Sequence, residues 1–136
     1  MIERQIIRNA IITPDGTYLH SHHRHDFVSH EDSLTKEIYF TDGGNNYIRR
    51  SVNECQAVSL DVYLDDDYEL VRCAFVWKSY GKNYEHPDGI YIALCDLTNS
   101  HISNILLTQW HIEYTYVKDL LNKELNYRKK HNILKE

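Results

Sequence analysis

Three clusters of residues in this chain carry side chains able to do chemistry. The first is His20-Ser21-His22-His23-Arg24-His25-Asp26, with His30 just beyond. Imidazoles and a carboxylate are standard ligands of a borderline metal ion. On an extended chain His20 and His22 share one face, and His23 and His25 the other. Metal ligands usually come from separate segments, and His86, His101 and His111 show no paired spacing. The same residues better suit a hydrogen-bonded Arg24–His25–Asp26 network that fixes a turn. A third use is contact of Arg24 or His25 with an anion.

The second cluster is Asp42-Gly43-Gly44-Asn45-Asn46-Tyr47-Ile48-Arg49-Arg50. Adjacent glycines let backbone approach a ligand, and their N–H groups can face an anion. Arg49 and Arg50 are fork-shaped donors suited to phosphate, and Tyr47 offers a stacking face. The alternative is a β-turn carrying two surface arginines. The third cluster ends the chain's last helical pattern, Glu124-Leu125-Asn126-Tyr127-Arg128-Lys129-Lys130. Cations there complement the helix dipole. Arg128 follows Leu121 and Leu125 on the apolar stripe, so it is either an ion-pair partner or aimed into a pocket. Phe75 or Trp77 supplies an aromatic face, with core packing as the other use. Catalytic signatures are scarce: no GxSxG elbow, GxxxxGK[ST] loop, GxGxxG fingerprint or PCxxC pair is present. The carboxylates at 65–67 read as helix caps.

These residues need elements to hold them. Residues 2–12 read as a strand, Pro14-Asp15-Gly16 as a turn and 17–19 as the returning strand. A short strand over 37–41 is expected to end at the Asp42-Gly43-Gly44-Asn45 turn, with 47–50 following. Alternation at Val58, Leu60, Val62 and Leu64 predicts one strand over 57–64. A short helix is expected over 67–78, a strand being the competing assignment. Residues 90–94 read as a strand. Thr98, Asn99 or Ser100 caps a helix, and a second helix runs over 115–130. The expected fold is a single α+β domain over 1–136, mainly strands with one short helix to 95 and helical from 96.

The 136 residues are ordinary globular composition, 42% hydrophobic and 26% charged, with net charge −5. That balance argues against coating polymeric nucleic acid or an anionic membrane. The N-terminal residues lack the apolar stretch of a signal peptide, so a cytoplasmic protein is expected. The three cysteines, Cys55, Cys73 and Cys95, cannot all pair and read as reduced thiols in a core. No cofactor is called for.

The residues Gly16-Thr17-x-Leu19-x-Ser21-x-His23-Arg24-His25-Asp26-Phe27, Asp42-Gly43-Gly44-x-x-Tyr47-x-Arg49-Arg50 and Glu124-Leu125-x-Tyr127-Arg128 together resemble a bacteriophage family, the first Thoeris anti-defence proteins. The resemblance spans about residues 2–130. It implies a non-catalytic sponge in the host bacterial cytoplasm, which sequesters a cyclic ADP-ribose isomer made by TIR enzymes. It also implies N-terminal antiparallel strands, C-terminal helices, and dimers that build a higher homo-oligomer, with cyclic oligonucleotides as further ligands. Similar HRHD and DGG motifs elsewhere come with cysteine pairs that this chain lacks, so no zinc is implied. The ligand residues expected on this reading are Arg24, His25, Tyr47, Arg49, Arg50, Phe75, Trp77, Tyr127 and Arg128. Alternatives from other classes are a metal-dependent phosphodiesterase or nuclease using residues 20–26, and a phage protein that binds a host protein.

Overall fold

A computed structural model describes residues 4–44, 47–109, 112 and 114–136. The fold is α+β, with antiparallel sheets and three helices that lie mostly in the C-terminal half. The chain divides into two compact units, Met1–Val71 and Arg72–Glu136.

The first unit is built on two small sheets. Strand β1 (Ile6–Ile12) pairs antiparallel with β2 (Tyr18–Ser21). The Pro14-Asp15-Gly16 turn joins them, with Gly16 at φ 91°, which glycine adopts without a Cβ penalty. Strands β3 (Val28–Glu31), β4 (Ile38–Gly44) and β5 (Tyr47–Arg50) form the second sheet in that order. Buried Ile11, Leu19 and Tyr39 form the core between them, with Val28 and Ala57 packed against it. Tyr39 is fully buried because its hydroxyl donates to Gln56 Oε1 at 3.0 Å.

Two aspartates tie the two hairpin turns together. Asp15 accepts from the hydroxyls of Thr13 and Thr17 at 2.7 Å each, from Ser33 N–H at 2.8 Å, and sits 2.8 Å from His30 Nε2. Buried Asp32 accepts from Asp15 N–H and Thr35 N–H, both at 2.8 Å. The bond from His30, then those from Ser33 and the threonines, hold the Asp15 carboxyl far below the usual carboxylate range. Burial pushes Asp32 up, but the N–H groups of Thr35, Asp15 and Leu34 outweigh it and leave its pKa lowered.

Several expected boundaries move. β4 does not stop before Asp42 but runs through Gly44, and Asn45 of the expected turn lies outside the described residues. Ile2 of the first expected strand also lies outside them. The strand expected over 57–64 is two short pieces, β6 (Val58–Ser59) and β7 (Val62–Tyr63), each paired with β1. Between them Asp61 turns its carboxylate inward to accept from Ala10 N–H at 3.1 Å, which breaks the alternation. Val62 is buried but Val58 is exposed.

Helix α1 (Tyr68–Ala74) is shorter than expected. The residues after it form a strand, β8 (Val76–Ser79), the competing assignment, paired with β9 (Ile90–Ala93). β-Branched Val76 and the alternation around Trp77 suit a ladder better than a helix. Of the acidic run, Asp67 stands at the start of α1 and its carbonyl accepts from Leu70 and Val71 N–H, while Asp65 and Asp66 bind Arg4 and Asp66 accepts from Tyr63 N–H at 2.8 Å. In the second unit Thr98 caps α2 (Asn99–Thr108) by accepting from His101 N–H at 3.0 Å. Helix α3 (Thr115–Lys130) has the expected bounds and buries Val117, Leu120, Leu121, Glu124 and Arg128. No helix among the described residues is long and apolar enough to cross a membrane.

Candidate functional site

Strand alternation sorts the arginines of β5. Tyr47 and Arg49 share one face of the sheet, Ile48 and Arg50 the other. Arg50 points inward, its side chain only 8% exposed. Its Nε donates to Asn9 Oδ1 at 2.9 Å, and it is paired with Asp61 and, at 3.7 Å, with Glu54. Arg49 points outward at 58% exposure. Its Nε lies 3.9 Å from Asp42 Oδ2, and its guanidinium sits 5.7 Å from the Phe40 ring centre.

Arg24 reaches this face from the loop between β2 and β3. Its guanidinium lies 5.1 Å from the centre of the Tyr47 ring. Phe27 stands 5.1 Å from Phe40, centre to centre, and is more than half exposed. The loop is braced at its base: Asp26 Oδ2 accepts from His22 N–H at 2.8 Å and lies 3.3 Å from His22 Nδ1. His25 supplies a left-handed corner, φ 71°, with its ring exposed.

Both glycines lie within β4, where each allows a close approach, and Gly43 has φ 97°. A Cβ on Gly44 would lie 2.6 Å from the His22 carbonyl oxygen. The loop backbone therefore sits directly on β4. Asn9 fastens the same place, donating to the carbonyls of Asp42 at 3.0 Å and Gly43 at 3.2 Å. Asp42 is buried beneath Arg49, and its Oδ1 has no hydrogen-bond partner among the described residues. Beside the loop the His20 and His22 rings stack 4.0 Å apart. Burial, then His22 and Arg8, pull the His20 pKa down to about 4, against the opposing pull of Asp26. His20 is therefore neutral at pH 7.

The first unit thus brings Arg24, Tyr47 and Arg49 onto one surface, with Phe27 and Phe40 added. Two exposed guanidiniums, each against an aromatic ring, can hold a phosphoryl group while the rings carry a base. Sequence reasoning passed over Phe40, and quoted Phe27 and Asp42 in its motifs without giving either a role. Their one signal was the period-two spacing of Phe40, Asp42 and Gly44, hidden by taking the glycines as a turn.

The other four expected ligand residues belong to the second unit. Arg128 is 2% exposed. It donates to Glu124 Oε2 at 2.7 Å, Asn99 Oδ1 at 2.8 Å and the Leu94 carbonyl at 3.0 Å. Glu124 also receives a two-pronged contact from Arg72, at 3.0 and 2.7 Å, which raises the Arg72 pKa. Arg72 lies 4.5 Å from the Tyr127 ring centre. Arg128 and Tyr127 are thus ordered by an internal ion cluster, the ion-pair use of Arg128 that its stripe position allowed. Phe75 is buried. Trp77 borders a pocket of about 420 Å³ with Tyr80 and Tyr84, which adjoins a groove of about 730 Å³ lined by Lys82, His86, His101 and Asn104.

No group of three or more His, Cys, Asp or Glu among the described residues is placed to hold a metal ion. The cysteines are not in the core as expected: Cys55 and Cys73 are exposed and Cys95 half-buried. His111 lies outside the described residues. No protein-family model, curated protein or solved structure matches this chain.

Proposed function

We propose that the protein is a non-catalytic counter-defence sponge, which binds a cyclic ADP-ribose isomer and holds it without breaking a bond. The observation that carries this reading is the pairing of Arg24 with Tyr47 and of Arg49 with Phe40 on one sheet face. These arginines belong to the two N-terminal motifs on which the resemblance to the phage family rests. A cyclic ADP-ribose isomer offers two phosphates and a base, which match two guanidiniums and flat aromatic faces. On this proposal Arg24 and Arg49 take the phosphates, while Arg50 and Arg128 hold the scaffold. Tight sequestration at nanomolar level needs about −12 kcal/mol. Charge-assisted bonds to two phosphates and stacking supply that scale once water is excluded. A second copy closing over the exposed Phe27 would exclude it, so a homo-oligomer belongs to the same proposal.

The test is uptake followed by release. Purified protein is mixed with a cyclic ADP-ribose isomer, freed of unbound ligand and heated. The proposal expects the ligand to return intact and stoichiometric. A hydrolysed product would support the phosphodiesterase reading instead. Failure to take up any ligand would leave a protein-binding module as the better account.

A further inference from the structure

Cys73 and Cys95 lie far apart in sequence but meet in the second unit. The β8–β9 ladder pairs Val76 with Ala93. It is continued by Leu94 N–H donating to the Phe75 carbonyl at 2.8 Å. The next residues back along the chain are Ala74 and Cys73, the last two of α1, and the next forward is Cys95. The ladder thus brings the two cysteines to one place, where Cys73 is the neighbouring group that acts on the Cys95 thiol. Cys73 is exposed while Cys95 is half-buried. The charge of Asp96 pushes the Cys95 pKa up and that of Arg72 pulls it down.

We infer that Cys73 and Cys95 are a reversible dithiol site, which a low-molecular-weight disulfide such as glutathione disulfide converts to an intrachain disulfide. Exposed Cys73 is the sulfur such a reagent reaches. Its thiolate attacks glutathione disulfide, the S–S bond breaks, and one glutathione thiolate leaves. The Cys95 thiol then loses its proton to solvent and attacks the Cys73 sulfur, and the second glutathione leaves. Two protein thiols are oxidised and one glutathione disulfide is reduced to two glutathiones. Burial, then neighbouring Cys73, push the Cys95 thiol up to about 11. Cys95 therefore stays protonated until a mixed disulfide forms beside it, which sets the order of attack. Arg72, next to Cys73, holds Glu124, and the carbonyl of Leu94, next to Cys95, holds Arg128. The new bond would brace both sides of that ion cluster.

The test treats the full chain with glutathione disulfide and maps peptides without reduction. The expected result is one cross-linked peptide pair containing Cys73 and Cys95, a mass loss of two hydrogens at that pair, and full reversal by dithiothreitol. In Cys95→Ser the reaction should stop as a glutathione adduct on Cys73. In Cys73→Ser, Cys95 should remain reduced. Exposed Cys55, whose Cys55→Ser variant removes any competing adduct, should form no link to either. Separate glutathione adducts on Cys73 and Cys95 in the wild type, or no reaction at either, would overturn the inference.

Discussion

Arg50 is fixed on three sides by Asn9, Asp61 and Glu54, while its neighbour Arg49 keeps its charge in solvent. Truncating each should therefore do opposite things. Arg50→Ala leaves Asp61 and Asn9 without their cation in a nearly closed space and should cost about 3 kcal/mol of stability. Arg49→Ala should change stability by no more than about 0.5 kcal/mol. Thermal and urea unfolding of the two variants measure this directly. A similar argument applies to Gly44. A methyl there meets the His22 carbonyl, so Gly44→Ala should cost about 1–3 kcal/mol and displace the loop that carries Arg24. The adjacent arginines were legible as a pair with opposite faces. Which one turned inward was not, because the choice depends on Asn9 and Asp61, distant in sequence and unremarkable there.

Elements were legible where one local signal dominated. Helix α3 shows its apolar stripe and its basic end, and Thr98 caps α2 as a short polar side chain should. Elements were illegible where tertiary contacts override local preference. Two glycines read as a turn, yet β4 includes both: Gly44 lets the His22–His23 backbone approach, and Gly43, at φ 97°, meets Tyr47. The strand over 57–64 breaks because Asp61 serves Ala10 and Arg50. At the end of α3, Arg128→Ala should cost about 3–5 kcal/mol, since buried Glu124 would lose the guanidinium 2.7 Å from it and the Leu94 carbonyl would lose the Arg128 donor. Chemical denaturation with an unchanged m-value would confirm a loss of stability and not of compactness.

The hairpins also set a pH response. His20 titrates at 6.5 when unfolded and at about 4 when folded, so the folded state disfavours its charged form. Stability is therefore full above about pH 6.5 and declines as pH falls toward 4. Asp15 and Asp32 have folded pKa values below 3.8, so their contribution is present above that value and is lost in stronger acid. Melting temperature against pH should fall in two stages. His20→Asn should flatten only the upper one, and an unaltered upper stage would refute this assignment.

For the whole molecule, an acidic chain can still bind an anion, because the two guanidiniums lie on one face while the net charge of −5 is spread elsewhere. The α+β class was readable from the order of the elements. The division into two units near residue 71 was not, since no composition shift or linker marks it. Self-association is expected at this scale. Sedimentation at micromolar concentration should show a species larger than 16 kDa, and a lone monomer would remove the proposed closure over Phe27. The most direct test of ligand binding is calorimetric titration of a cyclic ADP-ribose isomer into wild type, Arg24→Ala and Arg49→Ala. Tight binding by the wild type is predicted, weakened about tenfold to a hundredfold in each variant as a charge-assisted bond is lost, with melting temperatures unchanged. No binding by the wild type, or equal affinity in all three, would contradict it.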